Sequence, residues 1–233
     1  RFYLSQDARQ IADWESYRTL FEDECEQMSV WKSGFHYTNK NLKTDHSYYN
    51  EQAAYNYGRN AFAAGSILSV ETKKENVTAS AWHPTKGFIT KDFAWTSDVL
   101  QTADTFQTTK GLFLAKVRVS GGANAAMYLA TGERQPVLKM MQWDGKQVSA
   151  GVRTNKDEAS ITIQNLKAGQ WYIYGIQITD KEVVWSVNGQ EILRIKNNFG
   201  DISFFPAITE FLPEGKTAGA GKIEIDWIRV YDK

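Results

Sequence analysis

The chain is poor in the residues that staple or ligate. It has one cysteine, Cys25, so no disulfide can close within it. Its three histidines, His36, His46 and His83, are scattered, and no Cys/His spacing matches a zinc site. Net charge is lacking as well. Lys plus Arg and Asp plus Glu both number 27, which leaves no electrostatic footprint for nucleic acid or an anionic membrane. No apolar run is long enough to cross a bilayer, so membrane insertion is not expected. Only four prolines occur, and no low-complexity stretch marks an internal linker. The first residue is Arg1 rather than Met, so a leader segment is expected to have been removed. The location that follows is extracellular, periplasmic or at the cell surface, with an upstream domain of the same protein as one expected partner. Asn76-Val77-Thr78 matches a glycosylation acceptor, which has meaning only in a eukaryotic secretory route.

Aromatic and apolar side chains are present in quantity. The hydrophobic fraction is 42% and the aromatic fraction 13%, enough for a sizeable core and against disorder. Eight Trp and eleven Tyr exceed what packing alone usually recruits, so some rings are expected to line a groove. Ile11, Trp14, Tyr17, Leu20 and Phe21 recur at helical spacing, which predicts a helical or linker segment over 1–20 ahead of a domain at 21–233. After Gly34 the pattern becomes short alternating runs divided by Gly, Asn, Asp and Thr. "GLFLAKVRVS" (111–120) places Leu112, Leu114, Lys116 and Arg118 opposite Phe113, Val117 and Val119. Asn188-Gly189 between two such runs predicts a tight hairpin, and Pro206 predicts an edge strand or a bulge. At least ten strands without intervening helices predict an all-β fold: a two-sheet antiparallel sandwich, or jelly roll.

Five stretches in order resemble the laminarinase-type glycoside hydrolases of family 16, within the concanavalin A-like lectin/glucanase superfamily. They are "LFEDE" (20–24), "YNEQAAYNYGRNAFAAGSILSVETKKE" (49–75), "TSDVLQTADTFQTTKGLFLAKVRVSGG" (96–122), "AGQWYIYGIQITDKEVVWSVNGQEI" (168–192) and "GKIEIDWIRVYDK" (221–233). The resemblance implies a concave sheet containing 111–120, 136–143 and 171–179. It also implies a catalytic strand of the form E-x-D-x-x-E shortly before a glycine. With Gly145 as that glycine, Val137, Lys139 and Gln142 stand where the two glutamates and the aspartate would be. A retaining glycosidase needs two carboxyls roughly 5–5.5 Å apart, one as nucleophile and one as acid/base. An aliphatic side chain cannot attack an anomeric carbon, and an amide has no proton of useful acidity. Sliding the strand by one residue offers Leu138, Met140 and Trp143; sliding by two offers Lys139, Met141 and Asp144. Glu133, the only other nearby acid, precedes Pro136 in a loop. No register restores the pair.

The resemblance thus implies a non-catalytic carbohydrate-binding domain with a poly- or oligosaccharide as partner. Candidate sugar contacts are Trp143, Trp95, Tyr128 and Trp82 for stacking, with Lys139, Arg134 and Gln142 as polar contacts. Lys139 in place of an aspartate favours an anionic sugar. Trp185 and Trp227, within alternating runs, are expected in the core. One alternative is a hydrolase or lyase with non-standard residues, drawing on His83, Tyr128, Lys139 and Arg134. The other is a structural accessory domain whose groove is filled by its own loops. No cofactor is expected beyond a structural calcium ion, for which Glu22, Glu24 and Asp226 occupy the family's places.

Overall fold

The computed structural model describes residues 1–3 and 17–232, which form nineteen strands and, among the described residues, no helix. One sheet has eight strands. Their order is β1 (Phe2–Tyr3), β14 (Glu158–Gln164), β13 (Val148–Arg153), β12 (Val137–Trp143), β11 (Asn124–Ala130), β18 (Phe205–Phe211), β9 (Val99–Gln101) and β3 (Lys32–Ser33). The second sheet runs β17 (Gln190–Lys196), β16 (Glu182–Val187), β15 (Tyr172–Ile178), β10 (Gly111–Gly121), β19 (Gly221–Asp232), β7 (Ile67–His83), β8 (Gly87–Ser97) and β5 (Ala53–Tyr55). Beside that path, β2 (Arg18–Asp23) pairs with β19, while β4 (Ser47–Tyr48) and β6 (Ala61–Ala64) pair with β7. Pairing is antiparallel except at the short contacts β1–β14, β4–β7 and β5–β8. The fold is the expected two-sheet sandwich.

Alternation decides which residues fill the space between the sheets. On β10, Phe113, Val117 and Val119 join the main core, where they meet Met127, Leu138 and Met140 from the other sheet. The opposite face carries Leu112, Leu114, Lys116 and Arg118, as the alternation predicts. There Lys116 pairs with Asp226 and Arg118 with Glu224, each at 2.7 Å across to β19. Leu114 packs with Ile173, Trp227 and Tyr231 on that outer face. Trp185 is therefore in the inter-sheet core, whereas Trp227 is buried on the outside of the second sheet.

Three expectations need correction. Segments 111–120 and 171–179 do not share a sheet with 136–143; they form β10 and β15 in the second sheet, and only β12 lies in the first. Alternation specifies a face of a strand but not which sheet the strand joins. Pro206 lies in β18, an interior strand between β11 and β9. It is tolerated because it is the second residue, before the ladder to β9 begins at Ala207. Arg18–Leu20 belong to β2 rather than to a helix, their backbone paired to the end of β19. Ile11 and Trp14 lie outside the described residues.

The Asn188-Gly189 hairpin forms as expected, with φ of 47° and 77° at its two central residues, the signature of a type I′ turn. A stricter backbone requirement sits at Gly151, opposite Lys139 in the ladder between β12 and β13. Its φ is +151°, and an added Cβ would stand 2.0 Å from the Ala159 carbonyl oxygen on β14. Gly151→Ala is accordingly expected to destabilise the fold by roughly 2–3 kcal/mol, read as a lower denaturation midpoint at unchanged slope.

Candidate functional site

β12 carries a bulge, and the bulge shapes the floor of the cleft. Between Lys139 and Gln142 it has one residue more than its partners, since Met127 faces Met141 while Tyr128 faces Lys139. Met140 and Met141 consequently both turn into the core, and Val137, Lys139 and Gln142 share the outer face. The carbonyl of Lys139, displaced by the bulge, accepts a 3.0 Å hydrogen bond from the indole of Trp185, which reaches across the core from the second sheet. The three positions that the family resemblance singles out are thus brought together. None of them bears a carboxyl.

Above this floor lies an open cleft of about 420 Å³, within the size range of ligand pockets. Tyr128 from β11 and Ala207, Thr209 and Phe211 from β18 extend the floor, with Phe35, His36 and Tyr37 from the 34–37 loop as one wall. Glu133 and Arg134 come from the 131–135 loop and Arg153 from the end of β13. A side pocket of about 160 Å³ adjoins it, sharing Phe35, Tyr48 and Phe211 and adding His46, Glu51 and Tyr55. None of the described loops fills the groove.

Burial sets the protonation of its polar groups. The phenols of Tyr37, Tyr48 and Tyr128 are all pushed up by burial, so they stay neutral hydroxyls. Burial lowers His46, which is only 7% exposed and has no partner for its Nδ1 among the described residues. Lys139 is 13% exposed and ion-paired at 2.6 Å to Glu158, whose carboxyl this lysine holds below its usual range.

The nearby acids are already engaged. Glu133 accepts a 2.9 Å hydrogen bond from Thr38. Asp144 caps the β12–β13 turn by accepting from the backbone N–H groups of Lys146 and Gln147. In the side pocket Glu51 accepts from Leu212 N–H, and burial raises its carboxyl to about 7. Asp98 accepts from Gly58 and Asn60 N–H at 2.8 and 2.7 Å, holding the loop beneath.

Of the expected sugar contacts, Tyr128, Arg134, Lys139 and Gln142 line the cleft. Three tryptophans do not. Trp143 is 5% exposed and in the core, its indole bonded to Gly121 O, because the bulge that returns Gln142 to the cleft face turns the next residue inward. Trp95 packs against Ala53, Ala123 and Leu212, and Trp82 pairs with Phe88 across the β7–β8 hairpin at 5.1 Å. Neither lines the cleft. His83 sits beside Tyr49 at 4.4 Å, so the lyase quartet of His83, Tyr128, Lys139 and Arg134 is not assembled. Two of the three acids expected around calcium are engaged elsewhere, Glu24 with Arg229 and Asp226 with Lys116. Among the described residues no group of three or more His, Cys, Asp or Glu is arranged to hold a metal ion. The residues that sequence reasoning missed are Phe35, Tyr37, Tyr48 and Arg153. The dense aromatics of "GFHYTN" (34–39), in a stretch without strand periodicity, were the one available signal.

No family model and no curated protein sequence matches the chain. Solved structures do. The catalytic domain of an endo-1,3-β-glucanase (laminarinase) from Thermotoga petrophila RKU-1 aligns with a TM-score of 0.73 at 17% identity, covering 94% of this chain and 99% of that one. A family-16 non-specific endo-β-1,3(4)-glucanase, co-crystallised with a cellobiosyl-cellobiose, aligns at 0.72 and 18% identity, over 96% and 97%. A mutant LamA from Z. galactanivorans, in complex with laminaritriose and laminaritetraose, aligns at 0.67 and 18% identity, over 93% and 100%. At these identities the likeness is one of fold. The chain has the laminarinase-type jelly roll.

Proposed function

We propose that this chain is a non-catalytic, glycoside-hydrolase-like domain that binds a poly- or oligosaccharide in its cleft, as part of a secreted or surface polysaccharide-processing protein. The observation that carries this reading is the floor of the cleft: Val137, Lys139 and Gln142 side by side, with no carboxyl among them. A retaining mechanism has neither nucleophile nor proton donor there. Sugar binding asks for less. It needs an open groove, aromatic surface and a few fixed polar groups, and Phe35, Tyr37, Tyr128 and Phe211 with Gln142 and Thr209 are of that kind. Oligosaccharide complexes of proteins with the same fold support the same use of the groove. The open cleft disfavours a purely structural role.

The test pairs two assays on the intact protein. On laminarin, lichenan and agar, no reducing ends are expected above a no-protein control. Affinity electrophoresis through gels containing neutral or acidic polysaccharides is expected to show retardation in at least one. Reducing ends that disappear on mutating a cleft residue would overturn the non-catalytic part. Free migration through every polymer would overturn the binding part.

A further inference from the structure

Two guanidinium groups in the cleft lack a salt-bridge partner among the described residues. Arg134 and Arg153 both line it, both are exposed, and neither makes an ion pair within 4 Å among the described residues. Several other cations on the sheets are neutralised. Lys116, Arg118, Lys139, Arg194 and Arg229 are each matched to a carboxylate. Both arginines line the one cleft, and the charge of each lowers the phenol of Tyr48 against the effect of burial. Arg134 acts on Tyr37 as well, and Arg153 on Tyr128. Arg153 is the cross-strand partner of Val137, so it stands beside the position where the family resemblance calls for an anionic nucleophile. It is steadied there by the Gln135 amide, whose oxygen accepts from Arg153 Nε at 3.2 Å in the orientation that satisfies both groups.

The surrounding acids do not cancel this. Glu158 is the cross-strand neighbour of Arg153 and feels its charge, but its carboxylate is bonded to Lys139 at 2.6 Å and the two cations share this one acid. Glu133 is held by Thr38, and Asp104 near His36 is paired with Lys32 at 2.9 Å. A glucanase floor presents carboxylates to a neutral sugar. This floor presents guanidiniums over neutral phenols, and its ligand should carry the complementary charge.

Resting on the reading of the cleft as a sugar-binding site, we infer that its ligand is an acidic polysaccharide, whose carboxylate or sulfate groups are gripped by Arg134 and Arg153 while the sugar rings lie on the tyrosines. Guanidinium suits either oxyanion because its planar fork donates two parallel hydrogen bonds. Charge-assisted bonds of this kind are worth enough that losing one arginine should weaken binding about ten- to a hundred-fold.

The experiment is titration of the protein with polygalacturonate (carboxylate), a sulfated galactan (sulfate) and laminarin (neutral), at low and at high salt. Wild type, Arg134→Met with Arg153→Met, and Arg134→Lys with Arg153→Lys are compared. Both positions are exposed, so unchanged melting temperatures are expected and serve as the folding control. The inference expects an acidic polymer to bind at least about tenfold tighter than laminarin and to weaken as salt rises. The methionine pair should abolish that preference, and the lysine pair, with charge but no fork, should keep only part of it. Whichever acidic polymer ranks first identifies the oxyanion. Laminarin bound as tightly as either acidic polymer, with the methionine pair without effect, would overturn the inference while leaving the sugar-binding reading intact. Binding to none of the three would overturn both.

Discussion

Val137→Glu combined with Gln142→Glu is expected to give a folded protein with almost no glycosidase activity, and adding Lys139→Asp is expected to raise its turnover about a hundredfold. The double variant places two carboxyls on the shared face that the β12 bulge creates, so the groups themselves are present. Their environments are not. A glycosidase acid must keep its proton near neutral pH while the nucleophile stays ionised. Lys139 lies between the two positions on the same face, only 13% exposed, and a cation so near lowers both carboxyls and strips the acid of its proton. Arg153, opposite Val137, adds a second cation on the nucleophile's side. Lys139→Asp removes the central charge and supplies an orienting partner, so its effect within the triple variant should far exceed its effect alone. The check is a ladder of single, double and triple variants assayed on laminarin, lichenan and an activated aryl glycoside. Robust turnover by the double variant would mean that Lys139 does not govern the site's electrostatics and that the cleft is otherwise intact.

That ladder can be designed because the strand it alters was legible from residue types. The spacing of Val137, Lys139 and Gln142 makes sense only with a bulge, and the bulge is there. The same device explains the error at Trp143: once Met140 and Met141 both face inward, strict alternation resumes one step out of phase. The faces of β10 were likewise readable, because period-2 patterning is a property of a single strand. Sheet membership was not. Whether β10 joins β12 or β19 depends on pairing between segments far apart in sequence, and the charges on its outer face find Glu224 and Asp226 rather than sugar. Trp82 and Trp95 misled because an aromatic residue in a strand carries no mark of which surface the strand covers. Phe35, Tyr37 and Tyr48 were hidden for the opposite reason: they reach the cleft from loops and a two-residue strand with no periodicity. Arg153 ends a strand at the cleft rim, a place that only the register of β12 on β13 defines.

The sandwich is also expected to lose stability as pH rises through neutrality, with Glu210→Gln removing most of that loss. Glu210 on β18 is 2% exposed. One carboxyl oxygen, Oε2, accepts from Thr72 N–H at 3.1 Å, while Oε1 has no partner among the described residues. Burial pushes its pKa to about 8, with Glu71 adding to the rise and Lys222 opposing it. There is no room to relax the site, since a Cβ at Gly221 would already stand 2.9 Å from Oε2. In the native state the group is therefore a neutral acid over most of the working range, whereas in the unfolded chain it ionises near pH 4.3. Between those two values the native state binds the extra proton, so the free energy of unfolding falls as pH rises. Below the lower value the term is fully present, and above about 8 it is gone. A gap of that width corresponds to roughly 3–5 kcal/mol, a large share of a domain's net stability. Glu51, raised to about 7 by burial, contributes a smaller slope of the same sign. Glu210→Gln keeps the shape of the protonated acid and cannot ionise, so urea midpoints should coincide with wild type near pH 5 and exceed it clearly near pH 9. A residual slope should remain in that variant and shrink when Glu51→Gln is added. Parallel stability curves for wild type and Glu210→Gln across the whole range would mean that Glu210 is ionised in the native state and that its buried charge is balanced within the fold.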